Sequence, residues 1–434
     1  MKFCDYILKI KKLPVVLLAT FFVLLYVFSL PVNAEREIVI VIDPGHGGDN
    51  MGAMHNDFIE KYMNLTVANA MREELEKYEG IVVYLTHEDA ETNLTLKQRA
   101  EFAASKNADF MFCLHFNMSE GGILYGAEVW VSAFDIFYAK GHSFGQIMMQ
   151  ALEEMGLFNR GIKTRINNRD EDYYGIIRES RALDIDTILI EYAHLDHIND
   201  QEFYTLGDFQ LEEFGRVTAT AVAQFFRLRS DILNIDFSDF PVPEVEAPTE
   251  IVRPDLTPPD VSHLELVSLD IEKREAVFKL IAEDYDSFIL YYAICLDGGR
   301  NFGTLQPFPR TETEVLITLD LPAERNLRVV AQVFNAYDRI TPSNIISIAA
   351  LPPDKVVEDI LEELEEIIEI SLAELTQELT ERQEQIYKRL ETYQIILITI
   401  AILMILVIVI IISRITLLLK VRRHARIEDK SPES

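Results

Sequence analysis

The sequence predicts an α/β domain with a mostly parallel sheet and helices on both faces, followed by a small β-sandwich-like domain, an acidic helix and a transmembrane helix. In residues 36–229, β-branched apolar runs alternate with runs of helical periodicity, which is typical of a parallel sheet covered on both faces. In residues 261–351 the apolar side chains recur with period two, as in sandwich strands. From residue 354 the period returns to three or four and then gives way to a continuous apolar run.

The chain begins with a segment typical of an export signal. Lys9, Lys11 and Lys12 precede a long apolar run, and Ala34 supplies a small residue after it. We therefore expect residues 1–34 to be a signal peptide cleaved after Ala34. The run is also long enough to serve as an uncleaved membrane anchor, so both readings stay open.

Residues 35–230 are expected to form the α/β domain, and roughly 195 residues suffice for a full hydrophobic core. Alternation of the two periodicities gives the order of its elements. Strands are expected near residues 37–43, 81–86, 109–115, 125–132, 172–178 and 187–191. Helices are expected near residues 60–79, 94–106, 138–155 and 209–228.

Prolines among acidic residues mark 231–260 as an extended linker. The β domain follows at 261–352, where Leu327, Val329 and Val333 lie on one side of an alternating run. The segment Asn335-Ala336-Tyr337-Asp338 resembles the closing strands of fibronectin type III-like sandwiches. Because no catalytic cluster occurs there, a spacer or a binding module is expected.

The C-terminal part is predicted to be an anchor. Residues 354–394 form an acidic, amphipathic helical stalk, whose apolar stripe would permit self-association or packing on the β domain. Residues 395–419 are predicted to be a transmembrane helix, because the run is long enough to span a bilayer. The basic residues of 420–434 predict a cytoplasmic tail. The protein would then cross the cell membrane once, with its α/β domain on the extracytoplasmic side.

The charge and the cysteines exclude two classes of protein. With 71 acidic and 40 basic residues, the net charge is -31, which argues against nucleic-acid binding. Three cysteines are too few for a disulfide framework, so buried free thiols are expected.

Three apolar runs of the α/β domain end in side chains capable of metal binding or proton transfer. His46 follows the first run in a glycine-rich loop, His115 closes the second, and Glu191 closes the third. Glu60 lies in the first turn of a predicted helix. Taken singly, these residues would suit a turn, a core histidine or a helix-dipole partner. Because the ends of parallel strands meet at one rim, their coincidence favours a site.

The residue types indicate the chemistry of that site. Two histidines and one carboxylate with an open fourth position form a catalytic zinc set. A further glutamate can take the proton from zinc-bound water.

The chain also resembles the zinc-dependent N-acetylmuramoyl-L-alanine amidases, which cleave peptide stems from bacterial wall glycan. The match is distributed in order and spacing over residues 36 to about 228. It comprises Ile42-Asp43-Pro44-Gly45-His46-Gly47-Gly48, Asp49 with Gly52-Ala53, Glu60-Lys61, Asn64-Leu65, Leu96 with Arg99, Ala108-Asp109, Leu114-His115-Phe116-Asn117, Gly126-Ala127-Glu128, Arg160-Gly161-Ile162-Lys163 and Ile190-Glu191.

The resemblance implies specific roles for four residues. His46, Glu60 and His115 would bind zinc, and Glu191 would be the catalytic glutamate. The implied substrate is peptidoglycan, cut at the amide between the lactyl group of N-acetylmuramic acid and L-alanine. Two alternatives stay open: a zinc peptidase acting within the peptide stem, and a degenerate amidase acting as a wall-binding adaptor.

Overall fold

The structure is a computed structural model that describes residues 36–323, 325–351, 364–379 and 402–416. The chain divides into two compact units. Among the described residues, the first combines those up to Asn117 with Gly126–Arg253, and the second combines Met118–Tyr125 with those from Pro254 onward.

The first unit is an α/β domain in which strands and helices alternate. Its strands are β1 (Ile38–Pro44), β2 (Met54–His55), β3 (Phe58–Ile59), β4 (Ile81–Leu85), β5 (Phe110–Asn117), β6 (Ala127–Trp130), β7 (Asn159–Lys163), β8 (Thr187–His194), β9 (Arg229–Ser230) and β10 (Ile235–Asp236). Its helices are α1 (Glu60–Leu75), α2 (Leu96–Ser105), α3 (Asp135–Glu154), α4 (Gly175–Arg181), α5 (Ile198–Gln201) and α6 (Asp208–Phe225).

The central sheet is mixed. Its strand order is β4-β1-β5-β8-β6-β7, and β6 runs antiparallel to β8 while the other neighbours pair in parallel. The predicted α/β architecture is therefore confirmed, with one antiparallel pair that the sequence pattern did not show. The reversal places the beginning of β6 beside the end of β8.

One predicted strand is wrong. Residues 172–178 were expected to be extended, because two tyrosines and two isoleucines favour strands. The structure instead has helix α4 at Gly175–Arg181, and the strand in this region is β7, at Asn159–Lys163. Ile176, Ile177 and Ser180 are buried on one side of α4, so packing against the sheet outweighs local propensity.

Alternation along each central strand divides its side chains between the two faces. In β5, Phe110, Phe112, Leu114 and Phe116 enter the core that α1, α3 and α6 cover. His115 therefore lies on the opposite face, where α2 and α4 contact each other.

The second unit contains two antiparallel sheets with a shared apolar core. One sheet has the order β11-β12-β15, and the other has β14-β13-β16-β17 with β18 paired to β16. The strands are β11 (Val261–Asp270), β12 (Glu275–Glu283), β13 (Ile289–Cys295), β14 (Gln306–Pro307), β15 (Glu314–Asp320), β16 (Leu327–Asn335), β17 (Ile340–Pro342) and β18 (Ile346–Ile348).

The prediction of a transmembrane helix over 395–419 is wrong for the chain as the structure describes it. Residues 402–416 are helical. Among the described residues, no helix combines the length and apolarity needed to cross a membrane.

Several other predictions fall on residues outside the described ranges. They are the signal peptide at 1–34, the cytoplasmic tail at 420–434, and all of the stalk except 364–379, which is helical.

Candidate metal and catalytic site

The loop after β1 holds His46 in a left-handed conformation, with φ of 69°, which is uncommon for residues other than glycine. Arg99 of α2 constrains this loop. Its guanidinium donates to the carbonyl oxygens of Pro44 (2.8 Å) and His46 (2.5 Å), and it pairs with buried Asp43 at 2.7 Å. The loop is thus fixed by a buried ion pair beneath it.

Glu60, the first residue of α1, lies between the two histidines. One carboxylate oxygen, Oε1, is 2.9 Å from His115 Nδ1, and the other, Oε2, is 2.9 Å from His46 Nε2. Backbone amides hold both oxygens, since Phe116 donates to Oε1 at 3.0 Å and Ala53 donates to Oε2 at 2.7 Å. Burial acts to raise the pKa of Glu60, but the hydrogen bonds to His115 and His46 outweigh it and lower that pKa. Glu60 is therefore a carboxylate at neutral pH.

The tautomer of His46 follows from its other neighbour. Asn50 Oδ1 lies 3.0 Å from Nδ1, and an amide oxygen can only accept, so Nδ1 carries the proton. This leaves Nε2 as the nitrogen directed at Glu60. Burial acts to lower the pKa of His46, yet the hydrogen bond and charge of Glu60 give a net rise.

Two glycines allow the groups to approach so closely. A Cβ on Gly45 would lie 2.3 Å from the His115 ring, and a Cβ on Gly52 would lie 2.4 Å from Glu60 Oε2. Gly52 also has a φ of +73°, which favours glycine. The two imidazole rings stand edge to face with centroids 4.9 Å apart.

His46, Glu60 and His115 thus form a group that could hold a metal ion. One donor atom from each lies within 4.8 Å of the others. The structure brings together the three residues that were predicted from the sequence to be metal ligands. Among the described residues, this is the one group of three or more side chains that could hold a metal ion.

Glu191 lies beside this cluster because of strand pairing. Glu191 on β8 is the register partner of His115 on β5, and the side chains of register partners project from the same face of the sheet. Its Oε2 atom is buried and has no hydrogen-bond partner among the residues that the structure describes. Burial, together with the charges of Glu60 and Glu128, raises the pKa of Glu191 well above its usual range.

Glu128 is the functional neighbour to which sequence reasoning gave no role. It is the register partner of Glu191 on β6, so three adjacent strands present His115, Glu191 and Glu128 in one row. Its Oε2 accepts from Arg160 Nε at 2.8 Å and from Lys163 Nζ at 2.6 Å. Burial acts to raise the pKa of Glu128, but the charges of Lys163 and Arg160 lower it. The available signal was a carboxylate inside an apolar run, with two cations on the next strand.

Other histidines of the domain have structural contacts. His194 is buried, with Nδ1 3.1 Å from the carbonyl oxygen of Gly126. His197 caps α5 by accepting from the Asn199 amide at 3.1 Å. His87 lies 3.1 Å from the Thr86 hydroxyl. These contacts give each of the three a local role outside the ligand group.

Fold and site define a class of protein: an α/β domain with a His–Glu–His group able to hold a metal, and a second glutamate buried alongside. Comparison with known families agrees with this class. Residues 40–223 match the family described as N-acetylmuramoyl-L-alanine amidase. Residues 40–223 thus carry a domain of the bacterial cell-wall amidase family.

Individual relatives match over the same part of the chain. The N-acetylmuramoyl-L-alanine amidase LytC of Bacillus subtilis (strain 168) is 28% identical over 164 residues, covering 37% of this chain and 30% of that protein. The sporulation-specific N-acetylmuramoyl-L-alanine amidase of the same organism is 28% identical over 195 residues, covering 44% of this chain and 69% of that protein. The chain therefore spans less than a third of LytC.

Solved structures also match this region. The catalytic domain of CwlV, an N-acetylmuramoyl-L-alanine amidase from Bacillus (Paenibacillus) polymyxa var. colistinus, is 25% identical, with a TM-score of 0.38. The match covers 44% of this chain and 99% of that domain. Cwp6 from Clostridium difficile is 25% identical, with a TM-score of 0.41, over 44% of this chain and 29% of that one.

Proposed function

We propose that this protein is a zinc-dependent N-acetylmuramoyl-L-alanine amidase that acts on peptidoglycan outside the cytoplasm. The bond cut is the amide between the lactyl group of N-acetylmuramic acid and L-alanine. The observation that carries the proposal is the position of Glu191 in register beside His115, next to the ligand group. Family membership supports the choice of bond, and the export pattern of residues 1–34 supports the location.

The donor set fits zinc. Two imidazoles and one carboxylate are the protein ligands of many catalytic zinc sites. Asn50 holds the distal nitrogen of His46, as the outer partners of zinc-bound histidines do. Asn64 donates to Glu60 Oε1 at 3.3 Å and so steadies the carboxylate. When bound, zinc would polarise the scissile carbonyl and acidify a water molecule.

Glu191 would perform the proton transfers. Its Oε2 would accept a proton from the attacking water and deliver it to the nitrogen of the departing L-alanine. The raised pKa makes this carboxylate a stronger base than an exposed glutamate. Glu128 suits an electrostatic role instead, because Arg160 and Lys163 keep it ionised.

Product analysis tests the proposal. The purified full chain, supplied with zinc, would be incubated with isolated wall glycan and the fragments identified by mass spectrometry. We expect glycan whose N-acetylmuramic acid residues bear free lactyl carboxylates, together with peptides that begin with L-alanine. Fragments cut inside the stem, with the lactyl amide intact, would instead indicate a peptidase. Binding to the wall without any fragment would indicate an adaptor.

A further inference from the structure

A basic and aromatic surface lies next to the row of His115, Glu191 and Glu128. It consists of exposed Arg165 and Tyr173, with half-buried Tyr174 and buried Trp130 behind them, and we call it the Arg165 surface. The Arg165 guanidinium stacks on the Tyr173 ring, with its carbon 3.7 Å from the ring centroid. Tyr173 contacts Tyr174 at 5.4 Å between centroids, and Tyr174 contacts Trp130 at 5.0 Å.

The Arg165 surface is joined to the catalytic row by direct contacts. Trp130 Nε1 donates to Glu128 Oε1 at 3.0 Å, and Glu128 is the register partner of Glu191. Tyr174 packs against the Trp130 ring. It also feels the charges of Glu191 and Glu128, which together with burial raise the pKa of Tyr174. Arg165 is therefore connected to Glu128 through Tyr173, Tyr174 and Trp130.

Arg165 differs in its electrostatic partners from three other arginines of this region. Arg160 pairs with Glu128, Arg169 with Glu171, and Arg181 with Asp172. Across the residues described in the structure, no carboxylate lies within ion-pair distance of Arg165, although the chain carries a net charge of -31. Its side chain is exposed, and Tyr173 beneath it is exposed as well. The surface thus offers a flat, oriented cation to a ligand.

We propose that Arg165 binds the carboxylate of the second residue of the peptide stem; this inference rests on the proposed function. The lactyl carboxyl is consumed in the scissile amide, so anions lie on the peptide side of that bond. The second stem residue is a glutamate joined through its side chain, and its α-carboxyl is either free or amidated. Two extended residues span about 7 Å, so this α-carboxyl lies close to the scissile amide. A guanidinium recognises a carboxylate through paired hydrogen bonds.

The test compares two substrates that differ only in this group. Muramyl peptides with a free α-carboxylate or a carboxamide at the second residue would be digested by the zinc-loaded full chain. We expect Arg165→Gln to raise KM for the free acid by about tenfold or more, as for loss of a hydrogen bond to a charged group, with kcat nearly unchanged. The carboxamide substrate should show little change, and Arg165→Lys should recover part of the loss.

Controls separate this proposal from the function on which it rests. Arg169→Gln, on the same loop but paired with Glu171, should leave both substrates unaffected. Binding of the free-acid peptide to Glu191→Gln protein, measured by calorimetry, should weaken about tenfold when Arg165 is also replaced. If Arg165→Gln raised KM equally for the two substrates, the proposed role of Arg165 would be overturned, while the proposed amidase function would stand. Failure of the unmodified protein to release a free lactyl carboxylate from either substrate would overturn both proposals.

Discussion

His115 and Glu191 are register partners on neighbouring parallel strands, and this pairing places a prospective base beside a prospective metal ligand. Neither residue is close to the other in sequence, so the sheet alone creates the relationship. A shift of the register by one residue would turn the Glu191 side chain to the opposite face. The hydrophobic alternation of β5 and β8 therefore fixes the site as well as the core.

Removal of one ligand tests the metal site. We expect His115→Ala to lose bound zinc and wall-cleaving activity, while circular dichroism still shows a folded domain, because His115 is not part of the apolar core. Zinc content would be measured by inductively coupled plasma mass spectrometry. His142→Ala is the matched control, since His142 lies on α3, outside the ligand group. Stoichiometric zinc in the His115→Ala protein would contradict the assignment.

Replacement of Glu191 separates chemistry from metal binding. Glu191→Gln keeps the size of the side chain but removes the base, which typically costs on the order of 10²–10⁴ in rate. Zinc content should stay at the level of the unmodified protein. Turnover close to normal would mean that another group is the base, and buried His194 would be the first to examine.

Much of the site was accessible to sequence reasoning because its residues interrupt apolar strands. His46, His115 and Glu191 each close a run that has no internal use for a polar group, and the sheet topology brings the run ends together. Glu60 was accessible because a helix begins at that residue. The four helices predicted at 60–79, 94–106, 138–155 and 209–228 were also found.

The remaining features depend on tertiary contacts. The strength of Glu128 as an electrostatic centre comes from Arg160 and Lys163, which approach it only through the β6–β7 pairing. The antiparallel direction of β6 has no local signature, because both directions suit a buried strand. Residues 172–178 have strand-forming side chains, yet packing makes part of that segment helical.

The Glu128 cluster should stabilise the domain in a pH-dependent way. Glu128→Gln removes the buried carboxylate that Arg160 and Lys163 contact, which we expect to cost about 3–5 kcal/mol in the free energy of unfolding at pH 7. A carboxyl with a lowered pKa stabilises the fold above its unfolded pKa of about 4.3, and the contribution is lost as the pH falls through the folded value. The difference between the two proteins should therefore shrink below about pH 4.

Urea unfolding of both proteins at a series of pH values measures this effect. The control is Glu171→Gln, which removes an exposed pair with Arg169 and should cost less than about 1 kcal/mol. A constant difference between Glu128→Gln and the unmodified protein from pH 7 to pH 3 would contradict the electrostatic explanation.

Gly45→Ala should remove metal binding by a steric route, without a change in any donor group. The new methyl would lie 2.3–2.6 Å from three atoms of the His115 ring, so the imidazole has to move away from Glu60. We expect zinc affinity to fall by at least about tenfold, as for lost outer-shell support of a ligand. Competition with a chromophoric chelator gives the affinity.

Gly80→Ala is the control, because its methyl meets nothing within 4 Å. The φ of +72° at this position should cost about 1–2 kcal/mol of stability and leave zinc binding intact. Normal zinc affinity in the Gly45→Ala protein would show that His115 can occupy another rotamer and still bind the metal.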